Sequence, residues 1–268
     1  MSASRLVPDR GRPGAWIVRM AGTDHSYIDP YDPTYLEFDY VQRIAAIIDT
    51  TWETGARITA VHVGGAGMTI PRYIAHTRPT SAQIVLEPDI VLTEEVRAAA
   101  PLPKNSGIKV RGVDGITGLA GLRDEYADLV VLDAFAGSRV PAELGTREWF
   151  TEVRRVLRGN GTMVMNVTDH VPFSYSRRVL AGIRELFAPV VLGVEPSTLK
   201  GRRFGNLVVA AGGALDEHEL TRRAAGAAFP YRILSGLELD RWAGNVVPYT
   251  VGDAESSPPP PDGPGAYR

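Results

Sequence analysis

Short apolar runs alternate with stretches of helical periodicity along most of the chain. Four runs have the length and composition of buried strands, at 58–63, 83–86, 108–111 and 128–132. Apolar residues after these runs recur at three- and four-residue spacing, as on one face of a helix. Strands that alternate with helices form a parallel sheet covered by helices on both faces. The pattern therefore predicts an α/β fold with a doubly wound, Rossmann-like sheet.

Three further apolar runs extend this sheet to seven strands. One follows a Gly-Asn-Gly turn and covers 161–167. The last two, at 189–195 and 206–211, are separated by a polar loop instead of a helix, which predicts an antiparallel hairpin at one edge. Helices are predicted at 34–51, 70–75, 89–99, 116–123, 141–157, 174–187 and 215–228. Thr34 and Glu37 have the spacing of a capping box for the first of these helices.

The two ends of the chain differ in composition from its centre. Residues 1–33 begin with a segment rich in Arg, Pro and Gly, which predicts a disordered tail over 1–14 followed by a short β extension. Residues 256–268 contain four consecutive prolines and are predicted to be disordered or extended. The Rossmann-like domain is accordingly placed at 34–255.

A glycine-rich turn joins the first predicted strand to the next helix. Gly64, Gly65 and Gly67 allow the backbone to turn sharply and to approach a ligand closely. The helix that follows directs free N–H groups and a positive dipole toward the turn. Short glycine motifs also join strands to helices without binding anything, so the turn alone leaves both interpretations open.

Acidic residues follow three of the predicted parallel strands, at the edge where ligands of such sheets bind. Glu87 comes about 20 residues after the glycines, where a carboxylate accepts the hydroxyls of a ribose. Asp114 is suited to an adenine amino group, to capping the next helix, or to both. Asp133 is suited to hold a cationic group or to take a proton, with a helix cap as the alternative.

Other polar and aromatic residues are candidates for the same site. Tyr40 and Asp39, on the helix before the glycine turn, are predicted to bind substrate as part of a lid or pocket wall, with core packing as the alternative for Tyr40. His62 lies inside the first strand and is predicted to be a packed core histidine. His170 follows the fifth strand in a loop, a position more typical of a bystander than of a general base.

Composition excludes several classes of function. The chain has no cysteine, which excludes disulfides, thiol nucleophiles and zinc–thiolate sites, and its five histidines have no metal-ligand spacing. A net charge of −2 gives no electrostatic footprint for nucleic acid. No apolar run reaches the roughly 18 residues that span a bilayer, and no secretory leader is recognisable. We expect a soluble cytoplasmic protein without a metal, a membrane or a nucleic acid as partner.

Four segments together resemble the spermidine synthase family, the aminopropyltransferase branch of the class I S-adenosylmethionine-dependent methyltransferase fold. They are VHVGGAGMTIPRYIA, VLEPDIV, VRGVDGITGL and the long segment DEYADLVVLDAFAGSRVPAELGTREWFTEVRRVLRGNGTMVMNV. The resemblance runs from about residue 35 to 211. It implies a small-molecule polyamine acceptor, decarboxylated S-adenosylmethionine as co-substrate, methylthioadenosine as product and a homo-oligomer, often a dimer or a tetramer.

The resemblance also implies roles for single residues. Gly64, Gly65 and Gly67 would hold the amino-acid portion of the co-substrate, Glu87 its ribose and Asp114 its adenine. Asp133 matches the first aspartate of the family's catalytic segment and would act on the reacting groups.

Three departures from the family pattern leave the reaction open. Gly67 stands where members usually carry an aspartate that holds the aminopropyl amine, and Ala136 stands where they carry a second catalytic aspartate. The N-terminal β-domain is also shortened. Aminopropyl transfer is therefore one hypothesis. The alternatives are methyl transfer from S-adenosylmethionine, whose carboxylate would use the space left at Gly67, and a non-catalytic relative that binds an adenosyl ligand.

Overall fold

The computed structural model describes residues 5–20, 22–213 and 215–261. An antiparallel sheet of three strands opens the described chain, in the order β1-β2-β3. Its strands are β1 (Leu6–Pro8), β2 (Trp16–Met20) and β3 (Thr23–Ile28). This sheet packs on the third helix and on the glycine turn through buried side chains that include Val18, Ile28 and Met68.

The main sheet has eight strands in the described part of the chain. They are β4 (Thr59–Val63), β5 (Ala82–Leu86), β6 (Ile108–Arg111), β7 (Ala127–Leu132), β8 (Leu157–Asp169), β9 (Val190–Val194), β10 (Gly205–Gly212) and β11 (Arg232–Ser235). Their order is β11-β9-β10-β8-β7-β4-β5-β6. Strands β4 to β8 are parallel, while β10 is antiparallel to both β8 and β9. The predicted doubly wound α/β fold is confirmed.

One strand more than the seven predicted is present, and it changes the edge of the sheet. The hairpin of β9 and β10 forms as expected, but β11 pairs with β9 on its outer side. The hairpin is therefore not at the edge. β11 is only four residues long and begins with an exposed arginine, so it has neither the length nor the apolar run that identified the other strands.

The helices cover both faces of the main sheet. They are α1 (Asp39–Thr51), α2 (Thr69–Thr77), α3 (Ile90–Ala99), α4 (Gly115–Ala120), α5 (Arg147–Val156), α6 (Ser174–Leu186), α7 (Pro196–Leu199), α8 (Glu217–Gly226) and α9 (Gly236–Ala243). Helix α1 buries Ile44 and Ile48 against one face, and α5 buries Phe150 and Val153 against the other. Burying an apolar side chain of this size contributes roughly 1.5–3 kcal/mol. None of the described helices is long and apolar enough to cross a membrane.

Helix α1 begins five residues later than predicted, because the expected capping box does not form. Thr34 donates its N–H and its hydroxyl to Asp32, at 3.2 and 2.5 Å. Glu37 accepts instead from the hydroxyl of Tyr35, at 2.8 Å. The side chains that would have capped a helix at Thr34 are thus engaged in a turn, and the first helical residue is Asp39.

Parts of both predicted disordered ends are ordered in the structure. Leu6–Pro8 pairs with β2, and Arg5 forms ion pairs with Asp89 and Glu95 near α3. Near the other end, the buried Ser257 accepts a hydrogen bond from the N–H of Val140 at 2.8 Å. Such long-range anchors are not visible in local composition, which explains why disorder was predicted for 5–14; the extended alternative for the C-terminal segment fits residues 256–260, which form neither helix nor strand. The rest of the predicted C-terminal tail, 262–268, lies outside the described residues.

Candidate active site

A cavity of about 420 Å³ opens at the carboxyl ends of β4, β5, β6 and β7. It lies where a doubly wound sheet is expected to bind its ligand. The predicted site residues on its wall are Tyr40, Gly64, Gly65, Glu87, Asp114 and Asp133. The fold therefore brings these residues together, whereas the sequence had indicated only that each one follows a strand or precedes the glycine turn.

Close backbone contact explains the first glycine of the turn. Gly64 has a φ of +86°, and a Cβ at this position would lie 2.3 Å from the carbonyl oxygen of Asp133. Only a glycine fits there without moving the end of β7. The glycine turn and Asp133 are thus held side by side at one end of the cavity.

Glu87 links the glycine turn to the start of α3. Its Oε2 accepts hydrogen bonds from the N–H groups of Gly65 and Ala66, at 3.0 and 3.1 Å. Its Oε1 accepts from the N–H of Asp89, at 2.9 Å. The carboxylate therefore orders the turn and at the same time lines the cavity. Its predicted contact with a ribose stays a prediction.

Gly67 is the one predicted turn residue that does not line this cavity. Its N–H donates to the hydroxyl of Ser26 on β3, at 3.2 Å. A Cβ at Gly67 would lie 2.8 Å from both Ile28 Cγ1 and Ser26 Cβ. The missing aspartate side chain therefore leaves no room for a cofactor carboxylate, because β3 fills that space. The predicted cofactor contact of Gly67 has no support in this arrangement.

We expect Gly67→Asp to lower the free energy of unfolding by about 1–3 kcal/mol, the usual cost of overpacking a tight contact. Ser26 and Ile28 would have to move to admit the side chain. Gly159→Asp is a matched control, since nothing lies within 4 Å of a Cβ at Gly159. Urea denaturation of both variants measures the difference. A Gly67→Asp protein as stable as the control would show that β3 does not press on the turn.

Asp133 is half-buried at the end of β7. Its Oδ1 accepts a hydrogen bond from Asn166 Nδ2 at 2.9 Å, and the hydroxyl of Tyr40 also bonds to the carboxylate. Burial raises the pKa of Asp133 to about 6, although these two hydrogen bonds oppose the shift. A carboxylate with a pKa near neutrality is suited to hold a cation or exchange a proton. The alternative of a helix cap is wrong, because the next helical turn, Ala142–Gly145, has no side-chain cap.

Asp114 caps α4, as one of its two interpretations predicted. Its Oδ1 accepts from the N–H of Thr117 at 2.8 Å, and its Oδ2 accepts from the hydroxyl of Thr117 at 3.0 Å. These hydrogen bonds lower the pKa of Asp114 below its ordinary value. The side chain is exposed and lines the cavity, so an adenine contact stays a prediction.

A second cavity, of about 670 Å³, adjoins the first. The two cavities share His25, Tyr40 and Phe135 in their walls. Both predicted substrate residues, Tyr40 and Asp39, line the second cavity, and Asp39 is paired with the buried Arg43. Tyr40 is half-buried and lines both cavities, as a pocket wall does, and it also packs against the buried apolar cluster that includes Val41 and Ile44.

The charged residues of the two cavities differ. The carboxylates that line the first cavity are Glu87, Asp89, Asp114, Asp133 and Glu143. No lysine or arginine of the described chain lines that cavity. The second cavity also has acidic residues in its wall, but it includes Arg203, which is paired with Glu195. The first cavity is therefore better suited to a cationic ligand than the second cavity is.

Histidines occupy positions that the sequence predicted in part. His62 is buried as expected, with Nε2 2.9 Å from Gln83 Oε1, and burial lowers its pKa to about 4. His170 packs near the ring of Phe204, with centroids 6.0 Å apart, and lines neither cavity. The sequence contains no signal that His25 lines the cavities, because β3 is a polar segment without clear periodicity.

Among the described residues, no group of three His, Asp or Glu side chains is arranged to hold a metal ion.

Comparisons with known proteins find an aminopropyltransferase by sequence, and both spermidine synthases and a human methyltransferase-like protein by fold. No protein-family model matches the chain. A polyamine aminopropyltransferase of Vibrio vulnificus (strain CMCP6) is 28% identical over 144 residues, which cover 52% of this chain and 46% of the relative. The chain thus matches about half the length of that curated protein.

Solved structures extend the similarity over almost the whole chain. A probable spermidine synthase from Corynebacterium glutamicum ATCC 13032 has 26% identity and a TM-score of 0.84, covering 91% of each chain. The spermidine synthase of Thermotoga maritima shares the fold, with 12% identity and a TM-score of 0.56 over 92% of this chain and 77% of that one. These findings confirm the resemblance that the four motifs indicated.

Proposed function

We propose that this chain, which is similar in sequence and fold to spermidine synthases, transfers the aminopropyl group of decarboxylated S-adenosylmethionine to a polyamine. The observation that carries the proposal is the charge of the first cavity, which has five carboxylates and no lysine or arginine from the described chain in its wall. One of these carboxylates, Asp89, is paired with Arg5, which leaves four without a cationic partner in the wall.

The charge of this cavity favours the decarboxylated donor over S-adenosylmethionine itself. The decarboxylated molecule carries a sulfonium and an ammonium group and has no carboxylate. S-adenosylmethionine would place a carboxylate among carboxylates. Like charges about 4 Å apart repel by roughly 1 kcal/mol in water and by about 4 kcal/mol at the effective dielectric of a protein surface. Methyl transfer from S-adenosylmethionine is therefore the less favoured hypothesis.

Each of the four predicted acidic residues has a place in this proposal. Glu87, held against the glycine turn, accepts the ribose hydroxyls, and Asp114 lies at the adenine end. Asp133 lies beside the turn and near Tyr40, where its charge stabilises the sulfonium and the incoming amine. Asp39 contributes to the acidic wall of the second cavity, which takes the acceptor.

The reaction joins the contents of the two cavities. A neutral amine of the acceptor attacks the methylene carbon next to the sulfonium. The new C–N bond forms as the C–S bond breaks, and the sulfur keeps the electron pair in methylthioadenosine. The amine nitrogen gains a positive charge in this step and then loses a proton. Because free alkylamines have pKa values near 10, the site must favour the neutral amine or remove this proton.

The test is a comparison of ligand affinities by calorimetry and thermal shift. We expect decarboxylated S-adenosylmethionine to bind about tenfold or more tightly than S-adenosylmethionine, since 1.4 kcal/mol of charge repulsion is a factor of ten. A ligand at 100 times its dissociation constant should add about 2.7 kcal/mol of stability. Tighter binding of the carboxylated molecule would favour methyl transfer. A protein that binds neither molecule nor methylthioadenosine would have no adenosyl site.

Two further proposals follow from the family resemblance and accompany this one. The chain acts as a homo-oligomer, most simply a dimer, and it works in the cytoplasm on small molecules.

A further inference from the structure

The loop that follows β7, residues 134–141, forms part of the wall of both cavities. Phe135 lines the first cavity and the second. The tip of the loop, Gly137 and Ser138, lines the second cavity only. The position of this loop therefore determines the shape of the cavity assigned to the acceptor.

Hydrogen bonds within the loop shape its tip. The N–H of Ala136 donates to the carbonyl oxygen of Arg139 at 2.9 Å, and the N–H of Arg139 donates back to Ala136 at 3.4 Å. These bonds close a tight turn, but they do not attach the turn to the rest of the protein. Its attachment comes from a segment more than 100 residues later in the chain.

We call this segment, residues 249–257, the C-terminal strap. Ser257 Oγ accepts a hydrogen bond from the N–H of Val140 at 2.8 Å, and the N–H of Ser257 donates to the carbonyl oxygen of Val140 at 3.2 Å. The guanidinium of Arg139 donates to the carbonyl oxygens of Ser257 and Ser256. These four hydrogen bonds join the second half of the loop to the end of the strap.

Ser257 also connects the loop to the main sheet. Its hydroxyl lies 3.3 Å from the hydroxyl of Thr168 on β8, and Thr168 lines the second cavity. Ser257 is 0% exposed and Val140 is 2% exposed. Without the Ser257 hydroxyl, the N–H of Val140 would be buried without this acceptor, which is costly to a closed loop.

The rest of the strap is fixed to the body of the protein. Asp253 forms an ion pair with Arg178 on α6. The same guanidinium lies over the ring of Tyr249, 3.9 Å from its centroid. The carbonyl oxygen of Tyr249 accepts from the N–H of Arg147, the first residue of α5, at 2.8 Å. The strap is thus a support against which the loop can be held.

We propose that Ser257 is a positioning residue, which holds the loop 134–141 where Phe135 and the tip complete the acceptor cavity. The proposal rests on the proposed function, which assigns the second cavity to the acceptor. Ser257 lines neither cavity, so it acts through the loop. The hydrogen bonds between Glu87 and the glycine turn do not involve the loop, and the donor site depends on the strap less than the acceptor site does.

Ser257→Ala tests this role by removing one hydroxyl. We expect the KM of the acceptor to rise by about 3- to 30-fold, because apparent affinity falls with the fraction of molecules whose loop is in the binding position. The affinity for methylthioadenosine should stay within threefold of the wild type. Ser256→Ala is the matched control, since it removes the same group and keeps the carbonyl oxygen that Arg139 contacts. The control should keep wild-type values.

Arg139→Gln tests the same attachment without altering a buried side chain, since Arg139 is exposed. The shorter amide cannot reproduce the fork that reaches two carbonyl oxygens, so the KM of the acceptor should again rise. This variant decides the question if Ser257→Ala does not fold. An active wild type whose folded variants at both positions keep the wild-type KM would overturn the role of the strap and leave aminopropyl transfer intact.

Limited proteolysis measures the attachment without requiring activity. Trypsin cleaves after arginine, and the bond between Arg139 and Val140 is accessible to it only when the loop leaves the strap. We expect cleavage at this bond to be at least tenfold faster in Ser257→Ala than in Ser256→Ala, with cleavage after Arg97 on α3 unchanged. Fragments are identified by mass spectrometry.

Two results of the proteolysis would overturn the proposal. One is an equal rate of cleavage after Arg139 in Ser257→Ala and Ser256→Ala. The other is the same acceleration after Arg97 as after Arg139, which would show a general loss of stability in place of a local release. A wild type that forms no methylthioadenosine with any amine would instead refute the proposed function, and the cleavage rates would still report whether Ser257 holds the loop.

Discussion

Replacing Glu87 with Gln is expected to weaken binding of adenosyl ligands by about two to four orders of magnitude. The carboxylate accepts hydrogen bonds from Gly65, Ala66 and Asp89, and its charge is also available to the ribose hydroxyls. A hydrogen bond to a charged group contributes roughly 1.5–3 kcal/mol, and two such bonds would be lost or weakened. The amide has one acceptor oxygen where the carboxylate has two, so an N–H group would face the backbone donors.

Calorimetric titration with methylthioadenosine measures this effect without requiring turnover. Glu94→Gln provides a control with the same chemical change on the exposed face of α3. Wild-type affinity in Glu87→Gln would mean that the ribose lies elsewhere. A loss of affinity in both variants would point to a general effect of charge and not to a specific contact.

Replacing Asp133 with Asn should abolish most of the activity and yet stabilise the protein. Removing the carboxylate beside the reacting groups is expected to lower kcat by about 10²–10⁴-fold. The stability effect follows from the pKa of Asp133, which burial raises from 3.8 to about 6. Each pKa unit corresponds to 1.36 kcal/mol, so the ionised side chain costs up to about 3 kcal/mol at pH 7.5.

The pH dependence gives this prediction a definite sign. Because the folded-state pKa of Asp133 lies above the unfolded value, the favourable contribution of the protonated group is complete below pH 3.8 and is lost as the pH rises through 6. The stability of the wild type should therefore fall relative to Asp133→Asn between these values. Urea denaturation at pH 4 and pH 7.5, with Glu94→Gln as control, measures the change. An Asn variant that is active and no more stable would contradict both assigned properties of Asp133.

The positions of the acidic residues were predictable from sequence because they depend on topology. A parallel sheet brings the carboxyl ends of its strands to one edge, so Glu87, Asp114 and Asp133 could be assigned to one site from strand boundaries alone. Their individual hydrogen bonds were harder to predict from the sequence. The cap that Asp114 forms is local and was foreseen, whereas the contact of Glu87 with the glycine turn joins residues more than 20 positions apart.

The N-terminal sheet accounts for most of what the sequence did not predict. Its first strand is only three residues long, and β3 is largely polar, so neither has an apolar period. The sheet nevertheless decides two features of the site. It fills the space beside Gly67 with Ser26 and Ile28, and it brings His25 to the junction of the cavities. Both consequences depend on contacts between segments about 40 residues apart, such as the hydrogen bond from Gly67 to Ser26.

These observations change the meaning of the departures from the family pattern. The residue at position 67 is a glycine because β3 packs closely against the turn there. The missing side chain does not enlarge the pocket. Ala136 lies in the wall of the first cavity and supplies no carboxylate. The carboxylates that remain in that wall give the first cavity the negative charge on which the proposed aminopropyl transfer depends.

The identity of the products tests the proposed reaction most directly. The purified full chain is incubated with putrescine and either decarboxylated S-adenosylmethionine or S-adenosylmethionine, and the products are identified by mass spectrometry. We predict methylthioadenosine and a putrescine extended by one aminopropyl group with the decarboxylated donor, and no turnover with the other. Formation of S-adenosylhomocysteine and a methylated amine, or no product from either donor, would contradict the proposal.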